Sequence, residues 1–178
     1  MILCLAAYFT ERNLYIRDIS QAYVQSKSLL NRQFYIKPPR ELDLGQGNIL
    51  RVLRPLYGVP KAGTHWYRTY HAHHINKLKL LTSAYDPCLL YNNNAVVALQ
   101  TNNTLFLGTS DYVKTEKAEL HKANYLAKPI KELSANKNLV FNSDIISQDN
   151  KVIRLNQERH CAKIKLIWID TDFKSAYI

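Results

Sequence analysis

The sequence predicts an α+β fold, an antiparallel sheet with helices packed on one face. Three observations predict it. Two apolar runs, residues 96–99 and 105–107, flank the polar tetrad Gln100-Thr101-Asn102-Asn103 and read as a buried hairpin with its tip at Asn102-Asn103. Trp66, Tyr70, His74 and Leu78 recur every fourth residue and mark one face of a long helix. The remaining strand segments are joined by hairpins and by helices.

In order, residues 2–13 read as a short helix, with Leu3, Ala6 and Ala7 on one face. Residues 14–17 alternate like a strand and deliver Asp18. Two roles are open to Asp18 at this point. It can cap the helical turn that follows, which Asp does well, or it can aim a carboxylate at a metal from a strand end. Residues 34–37 form a strand stopped by Pro38-Pro39, residues 40–48 a loop, and residues 49–54 another strand. Gly45 and Gly47 lack the spacing and the Lys-Ser/Thr of a phosphate loop.

Pro55 to Pro60 punctuates the chain, and the long helix occupies residues 61–79. His71 and His74 sit close enough along it to share a metal, but no third ligand is evident, so packing or solvated histidines are expected. Residues 89–91 form a strand, and Asn92-Asn93-Asn94 turns the chain into the central hairpin. Ser110-Asp111 reads as the cap of a helix over residues 112–126, whose Lys and Glu, including Glu116, form a solvated, salt-bridged face. Residues 139–141, 145–146 and 152–155 are strand material, and Asn156 caps a helix directed towards Ile167. Residues 168–178 have no clear period, and Asp170 and Asp172 find no supporting ligand.

The 178 residues suffice for one domain with a real core. A formal charge of +10 favours a polyanionic partner, nucleic acid first. The three cysteines, Cys4, Cys88 and Cys161, have neither zinc spacing nor a disulfide framework and read as free thiols. No apolar run reaches the length of a membrane span, and the apolar start lacks the basic segment of a signal peptide. The expected compartment is intracellular, cytoplasmic or nuclear. The sequon Asn102-Asn103-Thr104 is then accidental.

Four blocks in order resemble the reverse transcriptase domain of copia-type retrotransposon polyproteins. They are Arg17-Asp18-Ile-Ser-Gln-Ala-Tyr23, Phe34-Tyr35-Ile36-Lys37-Pro38-Pro39, Arg54-Pro55-Leu56-Tyr57-Gly58 with Trp66-Tyr67, and Asp86-Pro87-Cys88 followed by the hairpin. Gln157-Glu158-Arg159 resembles the downstream end of the domain. The resemblance covers residues 1–167 and implies a palm-like antiparallel sheet with fingers and thumb largely absent; residues 168–178 lie beyond it.

The resemblance implies RNA-directed DNA polymerase chemistry: nucleotidyl transfer assisted by two Mg2+ (or Mn2+) ions on converging carboxylates, with RNA/DNA template-primer and dNTP as partners. It assigns catalytic positions to Asp18, Asn102 and Asn103, metal ligation to Asp18, and nucleotide contacts to Tyr23 and Lys61. Tyr23 matches an aromatic gate against a ribose 2′-hydroxyl; core packing is its other reading. Lys61 stands where the family commonly has Gln. The family's two hairpin aspartates are Asn102 and Asn103 here, and neutral amides cannot hold two divalent cations together against their repulsion. A degenerate, catalytically inactive fragment is therefore expected, with a non-catalytic basic nucleic-acid-binding module as the alternative.

Overall fold

The computed structural model of the protein describes residues 1–149 and 152–164. Its elements are α1 (Ile2–Tyr8), β1 (Asn13–Asp18), a 3-10 turn (Ala22–Gln25), β2 (Phe34–Ile36), a second 3-10 turn (Arg40–Leu42) and β3 (Leu50–Val52). Then come α2 (Ala62–Leu78), β4 (Leu81–Thr82), β5 (Leu89–Asn92), β6 (Ala95–Gln100), β7 (Asn103–Gly108) and α3 (Ser110–Lys122). The described chain ends with β8 (Lys131–Glu132), β9 (Leu139–Phe141), β10 (Asp144–Asp149), β11 (Val152–Asn156) and α4 (Glu158–Cys161). The fold is α+β. The tail at 168–178, with Asp170 and Asp172, and the approach to Ile167 lie outside the described residues.

Six strands form the central sheet in the order β4-β5-β6-β7-β1-β8, with every neighbouring pair antiparallel. The strongly apolar β7 and β1 occupy its interior, where each strand has a partner on both sides. The four-residue stripe of α2 packs on one face of this sheet. Trp66, Tyr70 and Leu78 meet Tyr15, Val97, Leu99 and Phe106, and α3 adds Tyr112 and Leu120. The other face is closed by α1 and the small β9-β10-β11 sheet, through Ile2, Leu139 and Ile146 against Leu14, Ile16, Leu105 and Leu107.

Cover on both faces changes how β1 reads. Residues 14–17 look alternating in sequence, yet Leu14, Tyr15, Ile16 and Arg17 are all buried. Arg17 points into the layer beneath α3, where Glu116 meets it. Glu116 is therefore not part of the solvated face of α3. That face is confined to pairs such as Lys114–Asp111 and Lys122–Glu119.

Three boundaries move for local reasons. α1 stops at Tyr8 rather than residue 13, because Phe9 turns extended and pairing with β7 already claims Asn13 opposite Gly108. The cap of α3 is Thr109, whose hydroxyl accepts from the Tyr112 N–H at 3.3 Å, one residue before the expected Ser110-Asp111. The hairpin turns at Thr101-Asn102 rather than Asn102-Asn103, since Gln100 and Asn103 are already cross-strand partners. Thr101, a β-branched residue, takes the left-handed conformation there (φ 48°), although Asn carries less steric penalty.

Candidate active site

Register builds the site. The antiparallel pairing of β1 with β7 ends at Asp18 opposite Asn103, and β6 with β7 ends at Gln100 opposite Asn103. The last residue of β1 thus lies against the hairpin tip, 84 residues away in the chain. Just past the strand end, the Ile19 N–H donates to the Asn102 carbonyl at 2.8 Å and locks the two segments together. Asp18, Asn102 and Asn103 are all half-buried.

Helix α2 fixes the tip from below. The indole N–H of Trp66 donates to the Thr101 carbonyl at 2.7 Å, and the Thr104 hydroxyl donates to the Tyr70 hydroxyl at 3.2 Å. The same aromatic stripe that packs the sheet therefore also sets the height of the turn. This tie holds Thr101 in its left-handed conformation.

The contacts of the Asp18 carboxylate exclude the capping role. The next helical turn begins after Gln21, without a side-chain cap. Asp18 Oδ1 instead accepts from the Asn102 amide at 3.3 Å, and Oδ2 from the Lys128 ammonium at 2.7 Å. Both oxygens thus face donors. Asn102 presents Asp18 with N–H where an aspartate would present lone pairs. Magnesium requires converging anionic oxygens. The groups meeting here are one carboxylate, asparagine side chains and an ammonium, which do not fit such an ion. Among the described residues no group of three or more His, Cys, Asp or Glu could hold a metal.

Lys128 carries no sequence signal; a strand-end carboxylate and a lysine 110 residues later become neighbours only through the sheet. Behind them lies a buried pair. The Arg17 guanidinium grips Glu116 through two bonds of 2.9 and 2.6 Å and donates a third, at 2.7 Å, to the Lys128 carbonyl. Alternation in β1 conceals Arg17, and the charge pattern of α3 conceals Glu116.

Tyr23 and Lys61 lie near the start of α2. The Tyr23 ring packs on Tyr57, centroids 4.5 Å apart, and its hydroxyl lies 3.7 Å from where a Cβ on Gly63 would stand. Tyr23 is half-buried and leans on the core beneath α2. Lys61 is the exposed residue preceding α2, with a left-handed backbone (φ 64°).

The histidines of α2 do not gather for a metal. His71 meets the Thr82 hydroxyl at 3.0 Å, whereas His74 is buried, with Nδ1 2.9 Å from the Tyr70 carbonyl. Burial lowers His74 to about 3 and His73 to about 4, so both are neutral near pH 7. The thiols of Cys4, Cys88 and Cys161 are free.

No family model matches the chain, and no solved structure matches it. The chain is similar to the transposon Ty1-NL2 Gag-Pol polyprotein of Saccharomyces cerevisiae, 28% identical over 91 residues, which cover 50% of this chain and 5% of that polyprotein. The truncated transposon Ty1-A Gag-Pol polyprotein of the same yeast is 28% identical over 91 residues, covering 50% and 7%. The chain thus corresponds to a small part of the relatives it matches, and the similarity supports derivation from a retrotransposon polyprotein.

Proposed function

We propose that this chain is the palm-type core of a copia-type retrotransposon reverse transcriptase, derived from an RNA-directed DNA polymerase and inactive in this copy. The observation that carries the reading is the register that sets Asp18 opposite Asn103 at the hairpin tip. A two-metal polymerase needs a strand-end carboxylate and a hairpin pair at one point. Here the pair is Asn102 and Asn103, and the lone carboxylate is occupied by hydrogen-bond donors. Loss of catalytic groups costs powers of ten in rate. In the catalytic ancestor Tyr23 would flank the incoming sugar and the residue at position 61, commonly Gln in the family and Lys61 here, the nucleotide.

The test is a manganese titration by calorimetry of the natural chain and of the double revertant Asn102→Asp plus Asn103→Asp, after circular dichroism shows both folded. Binding by the revertant alone supports the reading. Two ions bound as tightly by the natural chain would overturn the inactive assignment and send the protein to a primer-extension assay. A folded revertant that binds nothing even when Lys128→Met is added would sink the active-site assignment.

A second reading is favoured by the formal charge of +10, which does not depend on the metal groups. The protein then serves as a basic nucleic-acid-binding module. Its affinity for RNA or DNA falls steeply with salt and is unchanged by Asp18→Asn. Affinity that ignores salt would remove this reading.

A further inference from the structure

We propose that Lys128 is the resident cation of the Asp18 site, an ammonium standing where a divalent ion would otherwise sit. This inference rests on the palm reading given above and adds a residue to it. The loss of the metal centre then has two parts, missing carboxylates at the hairpin and a positive charge supplied from the opposite side.

An exposed lysine beside an aspartate is ordinarily a weak and mobile pair. The Lys128 side chain is more than half exposed, so by itself it would not make a persistent partner. Its backbone is different. The Lys128 N–H donates to the Asp18 carbonyl at 2.8 Å, and its carbonyl accepts from Arg17 Nη1 at 2.7 Å. The chain leading to it is tied down as well. Ser20 N–H donates to the Leu126 carbonyl at 2.7 Å, Leu126 N–H to Gln25 Oε1 at 2.8 Å, and Ile19 bridges to Ala127.

Pro129 follows immediately and steers the backbone of Lys128 away from helix. Only the side chain remains to be ordered when the pair forms. The bidentate Arg17–Glu116 pair is buried, so the support under Lys128 is rigid. Arg17 acts here as a positioning residue: adjacent in sequence to Asp18, it holds the peptide that carries the counter-ion.

Charge acts in the same direction. Asp18 is the carboxylate of the triad in this chain, and Lys128 cancels it. A divalent cation approaching the tip meets no net attraction and must first displace the ammonium or tolerate its repulsion at short range. Restoring aspartates at 102 and 103 returns negative charge but leaves Lys128 in place. The revertant should therefore bind metal less well than its carboxylates allow.

The test is Mn2+ binding followed by electron paramagnetic resonance, with folding checked by circular dichroism. Four proteins are compared: the natural chain, the revertant Asn102→Asp plus Asn103→Asp, and that revertant carrying Lys128→Met or Lys128→Arg. Met keeps the apolar stem and removes the charge, whereas Arg keeps the charge. The expected result is a gain of about two- to fivefold in Mn2+ affinity from Lys128→Met, the scale of an exposed ion pair that no longer has to be broken. Lys128→Arg should give no gain.

A revertant that binds Mn2+ with no gain from Lys128→Met overturns the counter-ion role while leaving the palm reading standing. An equal gain from Lys128→Arg overturns it too, because charge is then not the cause. If the folded revertant and its Lys128→Met form both bind nothing, the palm reading fails and takes this inference with it.

Discussion

The indole N–H of Trp66 lies 2.7 Å from the carbonyl oxygen of Thr101, tying the first turns of α2 to the tip of the central hairpin. The bond joins residues 35 apart in the chain, and its acceptor sits at a left-handed β-branched position. Such a position survives when its surroundings over-determine it.

Trp66→Phe tests this tie. The substitution removes the donor and leaves a void beneath the sheet, for a combined cost of about 2 to 4 kcal/mol. Tyr70→Phe removes only the hydroxyl that accepts from Thr104, for about 1 kcal/mol. Urea midpoints at constant slope should rank the two in that order. Equal midpoints would mean that Trp66 does not hold the hairpin.

Arg17 and Glu116 form a buried ion pair, each side chain about 5% exposed or less. Arg17→Met alone strands the Glu116 carboxylate, and Glu116→Leu alone strands the Arg17 guanidinium. Breaking such a pair from one side typically costs about 3 to 5 kcal/mol. The double change Arg17→Met plus Glu116→Leu should recover a large part of that loss, since the pair is costly to desolvate in the first place. Thermal or urea unfolding of the three variants measures the coupling directly. A double variant as unstable as the sum of the singles would show that the two charges are independent.

Stability should fall on mild acidification because of His73 and His74. Burial is the main cause that lowers both, to about 4 and about 3, from 6.5; for His73, Lys27 and Lys77 lower it further while Glu119 opposes them. A lowered folded pKa means that the unfolded chain binds more protons. The contribution is intact above about pH 6.5 and is lost as pH falls through 6.5 towards the folded values. In that window each histidine removes about 1.4 kcal/mol per pH unit. Chemical denaturation between pH 7 and pH 5 reads this slope, and His73→Leu should reduce it by about one proton. A slope unchanged in that variant would place the acid sensitivity elsewhere.

Much of the scaffold was legible because its signals are local. The Trp66, Tyr70, His74 and Leu78 spacing specified α2, and all four side chains are buried in it. The apolar runs on either side of Gln100 to Asn103 specified β6 and β7, and the Asn-rich turn before them forms as an Asx turn, with Asn92 Oδ1 accepting from the N–H groups of Asn94 and Ala95. The α+β class followed from the order of those elements. Local signals gave a strand end at Asp18 and a hairpin tip read one residue late; the resemblance is what singled out Asp18, Asn102 and Asn103 together.

What the tertiary structure decided depends on pairs far apart in the chain. The packing of α3 over the face of β1 that carries Tyr15 turned Arg17 inward and made Glu116 a core residue, although the charge pattern of α3 looked solvated in sequence. Register moved the turn to Thr101-Asn102, because a cross-strand ladder and the Trp66 bond outweigh the preference of Asn for positive φ. The partner of Asp18 was the least accessible to sequence. Periodicity and caps report on neighbours within about a turn of chain, whereas Lys128 stands 110 residues from Asp18 and meets it through the peptide that Arg17 holds.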